Sequence, residues 1–135
     1  MFLKTQQFAF NGAEITLYEL SALQRIEYIG YLTKVSKEIP VDADESVRTQ
    51  MTSIVGVKIS SRLVAMSLWQ ADINGPSVDE LQQQVMSTWP LPALSEAEFI
   101  VQEMSLMLPP VQADADPVEQ PADEEASPEK SMPAS

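Results

Sequence analysis

Proline and acidic residues are concentrated at the C-terminal end of this chain, and this limits how much of it can fold. Of the 135 residues, six of the ten prolines and seven of the twenty acidic residues follow Leu108. A stretch so poor in large apolar side chains cannot bury enough surface to offset its conformational entropy. The sequence therefore predicts a folded domain over 1–108 and a disordered acidic tail over 109–135. Such a tail either keeps the protein soluble or recruits a partner.

A β-hairpin is predicted at the start of the folded domain. Two short runs with aromatic and branched side chains, Phe2 to Phe10 and Ala13 to Tyr18, flank the pair Asn11-Gly12. Asn-Gly is the strongest short signal for a two-residue hairpin turn, because both residues tolerate positive φ. A two-stranded hairpin is marginal alone, so we expect its apolar side chains Phe8, Phe10, Ile15 and Leu17 to pack on the helices.

About four helices are predicted after the hairpin, so the fold class is mainly α. A serine followed three residues later by Glu or Gln is the capping box of a helix N-terminus. This spacing predicts helices that start at Ser21, Ser77 and Ser95, and a long apolar segment from about Asp44 to Gln70 predicts the central helix. Prolines follow each of the other three: Pro40, Pro90 and Pro92, and Pro109 and Pro110.

Three- and four-residue spacing of apolar residues predicts which side of each helix faces the core. The predicted stripes are Ile26, Ile29, Leu32, Val35 and Ile39, with Tyr28 and Tyr31 on the flank, in the first helix; Val47, Met51, Ile54 or Val55, Ile59, Leu63, Met66 and Trp69 in the central helix; and Phe99, Ile100, Met104 and Met107 in the last.

The residue types present exclude most catalytic and metal chemistry. The chain has no Cys and no His, so it has neither the usual catalytic triads nor zinc ligands of those types. Its glycines are isolated, which argues against a phosphate-binding loop. Asp42, Asp44 and Glu45 are interpreted as acidic residues at a helix N-terminus rather than as metal ligands. We predict no enzyme activity, no cofactor and no metal.

Charge and hydropathy predict the cellular compartment of the protein and exclude two kinds of partner. The formal net charge is −12, which repels a nucleic-acid backbone. Met1 to Phe10 carries one lysine and no long apolar run, and we expect neither a secretory signal nor a membrane span. The sequence therefore predicts a cytoplasmic protein that binds neither nucleic acid nor membrane.

Methionines fall on or near the predicted apolar faces, and they allow two interpretations. Methionine fills irregular gaps in small cores, and it also lines grooves that accept varied apolar helices. Core filling is favoured for any single residue, while the set as a whole makes a binding groove a fair alternative. The residues concerned are Met51, Met66, Met86, Met104 and Met107.

Four strings, in order along the chain, carry a family resemblance. They are MFLKT at the start, ELSALQRIEY from Glu19 to Tyr28, LVAMSLW from Leu63 to Trp69, and STWP from Ser87 to Pro90. Together with the acidic, Pro-rich end they resemble the tail assembly protein G family of lambda-like bacteriophages. The stretches 38–50 and 72–77 do not follow the family.

The resemblance implies a tail assembly chaperone in the infected bacterial cytoplasm. Such a protein binds the long helical tape measure protein, keeps it soluble, promotes assembly of the tail tube and is absent from the finished virion. The older family label, minor tail protein, supports an alternative in which the protein stays in the virion as a structural component.

The resemblance also implies a longer form, made by programmed ribosomal frameshifting, whose added domain recruits the major tail tube protein. The family's slippage site is associated with a Gly-Lys pair, and this chain has Glu129-Lys130 there. Whether a frameshift product is made therefore depends on the nucleotide sequence.

Partner binding is assigned to two of the matching strings. The predicted partner-binding residues are Leu63, Met66, Trp69 and Trp89. Trp69 has two interpretations, as a core residue and as part of a partner surface.

Overall fold

A two-stranded hairpin and four helices make up the part of the chain that the structure describes. The computed structural model describes residues 2–108. The elements are β1 (Thr5–Phe10), β2 (Ala13–Tyr18), α1 (Ala22–Ser36), α2 (Glu45–Trp69), α3 (Val78–Thr88) and α4 (Leu91–Met104). The predicted fold class is confirmed for these residues. The predicted tail over 109–135 lies outside them, and the domain boundary at Leu108 stays a prediction.

The hairpin forms with the turn that the sequence predicts. Asn11 and Gly12 have φ values of 50° and 84°, and Phe8 lies opposite Ile15 in the antiparallel register. Two buried serines attach the end of this hairpin to the helices. The backbone N–H of Tyr18 donates to Ser67 Oγ at 2.6 Å, and that of Leu20 donates to Ser105 Oγ at 3.1 Å.

Helix α2 is the central element, and the other three helices and β2 pack on it. It begins after Asp44, whose Oδ1 accepts the Val47 backbone N–H at 2.9 Å. Asp44 therefore lies at a helix N-terminus as predicted, and the structure adds that it caps the helix. Five consecutive residues, 63–67, are buried on all sides of the helix. The core of the domain therefore surrounds the C-terminal half of α2.

By length and composition alone, α2 is also the one helix among residues 2–108 that is long and apolar enough to cross a membrane. The sequence predicted no such span. Because the other helices cover its C-terminal half and its N-terminal half carries exposed polar residues, we interpret α2 as the core helix of this fold.

The predicted buried face of α1 is wrong at its centre. Ile26 and Ile29 are 68% and 61% exposed, whereas Gln24, Tyr28 and Val35 are buried. The reason is a polar anchor: Gln24 Nε2 donates to the Met66 carbonyl oxygen at 2.8 Å. Satisfying this backbone acceptor fixes the rotation of α1 and turns its isoleucines outward.

The predicted start of α4 at Ser95 is also wrong. The helix begins at Leu91, with Pro90 as its N-cap residue and Pro92 in the first turn, and Ser95 is exposed inside it. Proline is tolerated there because the first helical N–H groups have no intrahelical acceptor. Phe99, predicted on the buried side, is 52% exposed, while Ala93, Leu94, Ala97, Val101 and Met104 are buried.

A second buried amide joins α3 to the other helices. Gln82 Nε2 donates to the Tyr31 hydroxyl at 2.9 Å and to the Lys58 carbonyl oxygen at 3.0 Å. Its Oε1 accepts Arg62 Nη1 at 3.1 Å, and the same guanidinium lies 4.9 Å from the Tyr31 ring centroid. Nearby, burial and then the charge of Glu98 raise the pKa of Tyr28 to about 12, so that its phenol stays neutral.

Candidate partner-binding site

An apolar groove of about 360 Å³ opens between the hairpin and the corner that joins α3 to α4. Hairpin residues lie on one side of the groove, and residues of the α3–α4 corner lie on the other. The lining residues are Phe8, Phe10, Asn11, Ala13, Ile15, Thr88, Trp89, Pro90 and Ala93. None of these residues is charged, and none is a methionine, so the Met-lined groove considered above is not the groove found here.

Three aromatic rings form the floor of the groove. The Phe8 and Phe10 centroids are 6.2 Å apart with an interplanar angle of 22°, and those of Phe8 and Trp89 are 6.0 Å apart at 18°. Residues 8 and 10 share one face of β1 because strand side chains alternate. The rings are therefore held by the hairpin register on one side and by the helix corner on the other.

The position of Trp89 follows from the proline after it. A residue before proline is driven out of the helical region, and Trp89 ends α3 with φ −96° and ψ 136°. Its backbone N–H still donates to the Val85 carbonyl oxygen at 3.0 Å. The backbone thus leaves the helix at Trp89, where the indole is only partly buried and stacks on Phe8.

The groove has the chemistry of a docking surface. A stacked aromatic floor offers a large apolar contact area at little cost in side-chain entropy. Among residues 2–108 there is no group of three or more acidic side chains placed to hold a metal ion. The arrangement can hold apolar side chains of a partner, and it contains no pair of groups set up for proton transfer.

The four predicted partner-binding residues do not form one surface. Leu63 and Met66 are 0% and 1% exposed and belong to the core. Trp69, the last residue of α2, is partly buried and does not line the groove, whereas Trp89 does. The assignment of these residues to partner binding stays a prediction.

Sequence reasoning placed Phe8, Phe10 and Ile15 on the packing side of the hairpin but did not connect them with Trp89. The aromatic pair at alternate positions of β1 was the available signal. The pairing with Trp89 depends on the tertiary fold, because 78 residues lie between Phe10 and Trp89 in the chain. Ala93 carried no signal, since it lies where the sequence predicted a break before α4.

These features define a small, mainly helical protein with an uncharged apolar groove. The chain belongs to the family described as bacteriophage lambda tail assembly chaperone, TAC, protein G, whose model matches residues 1–128. It is 37% identical over 114 residues to Tail assembly protein G of Escherichia phage lambda, covering 79% of each chain. It is 39% identical over 119 residues to Tail assembly protein G of Escherichia phage N15, covering 82% of this chain and 81% of that one.

Longer relatives share the same region. Tail assembly protein GT of Escherichia phage lambda is matched over 39% of its length, and that of Escherichia phage N15 over 45%. No solved structure matches the chain. The matches establish a phage tail assembly protein that acts in the infected host cell and belongs to a family of tail assembly chaperones.

Proposed function

We propose that this protein binds the tape measure protein in the host cytoplasm, keeps it soluble, promotes assembly of the tail tube, and is absent from the mature virion. Family membership supports the general role of assembly chaperone. The observation that carries the binding proposal is the uncharged groove with the Phe8, Phe10 and Trp89 rings on its floor.

A long amphipathic helix is the kind of partner that such a groove accommodates. Helix-in-groove recognition places apolar side chains at helical spacing into an apolar cleft. Burying them removes surface that otherwise drives aggregation. The net charge of −12 then keeps the coated complex soluble through mutual repulsion.

Co-expression tests this role directly. We expect the tape measure protein to be soluble and to co-purify when this chain is present, and to aggregate when it is absent, because its apolar helix faces are then exposed. The measurement is the soluble fraction and a pull-down from matched cultures, with an unrelated acidic protein as the control for charge alone. If the tape measure protein were equally soluble with that control, the proposal would be contradicted.

The alternative function, a structural minor tail protein, differs in where the protein ends up. The support for this alternative is the family name, which connects these proteins with the phage tail. Quantitative protein analysis of purified virions separates the two: a chaperone is missing from them, whereas a structural component is present at a fixed copy number.

We also propose a longer form, made by frameshifting, that brings the major tail tube protein to the complex. The support is that relatives named GT share the region matched here and are longer. We expect mass spectrometry of infected cells to find a minority protein with a junction peptide after about Lys130. A slippery-site mutant with silent changes should lose this peptide and tail formation together; normal tails without it would contradict the proposal.

A further inference from the structure

The outer face of α1 is apolar although it lies opposite the core. Its centre is formed by Leu23, Ile26, Gly30 and Thr33, which recur at three- and four-residue steps and are all exposed. Leu23 and Ile26 are 63% and 68% exposed, and Ile29 beside them is 61% exposed. This is the spacing of a helix seam that packs against another helix.

Gly30 leaves one position of this seam without a side chain. A Cβ at Gly30 meets no atom of this chain within 4 Å, so no internal contact requires glycine at this exposed position. Glycine in a helix interior costs stability relative to alanine. The absent side chain does leave room for a second helix backbone to approach α1 closely.

Two charges of opposite sign flank the same edge of the seam. Glu27 and Lys34 are seven residues apart, two helical turns, and both are exposed. The ion pairs among the described residues are Lys58 with Glu38 and Arg62 with Asp79, so Glu27 and Lys34 have no partner there. Their midpoint lies between Gly30 and Tyr31, next to the glycine of the seam.

We propose that this face binds the same face of a second copy of the chain, as an antiparallel pair of α1 helices related by a two-fold axis beside Gly30. In an antiparallel pair, equivalent edges of the two seams lie side by side. Glu27 of each copy then lies opposite Lys34 of the other, and the two ion pairs form symmetrically. A parallel pair sets these charges beside Ile29 instead, so the charge pattern favours the antiparallel arrangement.

The association is weak and reversible. One short helix face buries less area than the roughly 1,000 Å² that a stable interface clears. The net charge of −12 on each copy opposes it further. The groove at Trp89 stays free in such a pair because α1 contributes none of its lining.

Sedimentation equilibrium of the full chain, from micromolar to about 1 mM, where weak interfaces still associate, tests the pairing without any tape measure protein. We expect a monomer–dimer equilibrium that Ile26→Ser abolishes. Because Ile26 is exposed, this variant should keep the melting temperature of the original chain. Ile54→Ser, at an exposed isoleucine of α2, is the matched control and should leave the dimer intact.

Charge reversal tests the antiparallel geometry. Glu27→Lys and Lys34→Glu should each weaken the dimer on the order of tenfold, because each replaces two ion pairs by two like-charge contacts. The double swap restores opposite charges and should return the affinity to nearly its original value. Net charge alone predicts the contrary for Glu27→Lys, which makes the chain less negative and would strengthen association.

A chain that stays monomeric at all concentrations, a dimer that Ile26→Ser leaves intact, or a double swap without recovery would each overturn the proposal. Loss of tape measure binding in Ile26→Ser, with self-association unchanged, would assign the face to that partner instead. The self-association result is independent of the proposed chaperone role, since it is measured on this chain alone.

Discussion

Leu63→Ala is expected to lower the free energy of unfolding by about 2–5 kcal/mol, the range for removing a fully buried leucine. Leu63 is 0% exposed and lies in the part of α2 that the other helices surround. The surrounding helices cannot close fully on the space left by the isobutyl group, so the loss combines burial of apolar surface with an unfilled cavity. Chemical denaturation followed by circular dichroism measures the change.

Ile54→Ala is the matched control for Leu63→Ala, because it removes a similar side chain from the same helix at a position 42% exposed. We expect it to change stability by less than about 1 kcal/mol. If Leu63→Ala were as mild as this control, Leu63 would lie in a looser environment than the structure shows.

The Leu63 result also bears on the predicted partner-binding residues. Leu63 and Met66 are buried, so we expect Leu63→Ala to affect tape measure binding only as far as it unfolds the protein. Binding should therefore persist at temperatures where the variant is folded. A folded Leu63→Ala protein that no longer binds would mean that the core opens to admit the partner.

Local signals in the sequence were enough to locate most of the elements. Asn11-Gly12 fixed the hairpin, and Ser21 and Ser77 fixed two helix starts, because each depends on the conformation of a few neighbouring residues. Ser95 has the same capping spacing but lies inside α4. A capping motif marks a position where a helix can begin, but α4 has already begun at Leu91, directly after Pro90.

The periodicity of the apolar residues does not predict which face of α1 is buried. The helix has apolar residues on both sides, and its hydrophobic pattern does not choose between them. The choice is made by Gln24, whose amide bonds to the Met66 carbonyl oxygen and accepts from Gln70 Nε2 at 2.8 Å. The sequence identified Gln24 only as a helix-capping residue, since its partners on α2 come from distant sequence.

The candidate site was only partly predictable, because it too depends on contacts between residues that are distant in the sequence. Trp89 was singled out through a matching string, and Phe8 and Phe10 as apolar side chains of the predicted hairpin that need a surface to pack on. Their assembly into one groove requires the α3–α4 corner to pack beside the hairpin, which is a long-range contact. Residue type therefore indicated the components, and only the fold brought them together.

Trp89→Ala is expected to weaken tape measure binding by at least about 30-fold, the effect of a residue that contributes 2 kcal/mol or more to an interface. The indole lies in the groove, and its removal leaves Phe8 without one of its two stacking partners. Because Trp89 is only partly buried, the loss of stability should stay near 1–3 kcal/mol, below the value for a fully buried tryptophan. Binding titrations at a temperature where the variant is folded measure the effect.

Two further variants test whether partner binding depends on the groove itself or on exposed aromatic side chains in general. Trp89→Phe keeps a ring against Phe8 and should recover most of the affinity, whereas Phe99→Ala removes an aromatic side chain that is 52% exposed on α4 and does not line the groove. We expect Phe99→Ala to bind as the original chain does. If it lost binding while Trp89→Ala kept it, the partner would contact the outer side of α4 rather than the groove. If both variants bound normally and the tape measure still co-purified, the contact would lie on neither surface, and the groove would be a feature of packing between the hairpin and the α3–α4 corner.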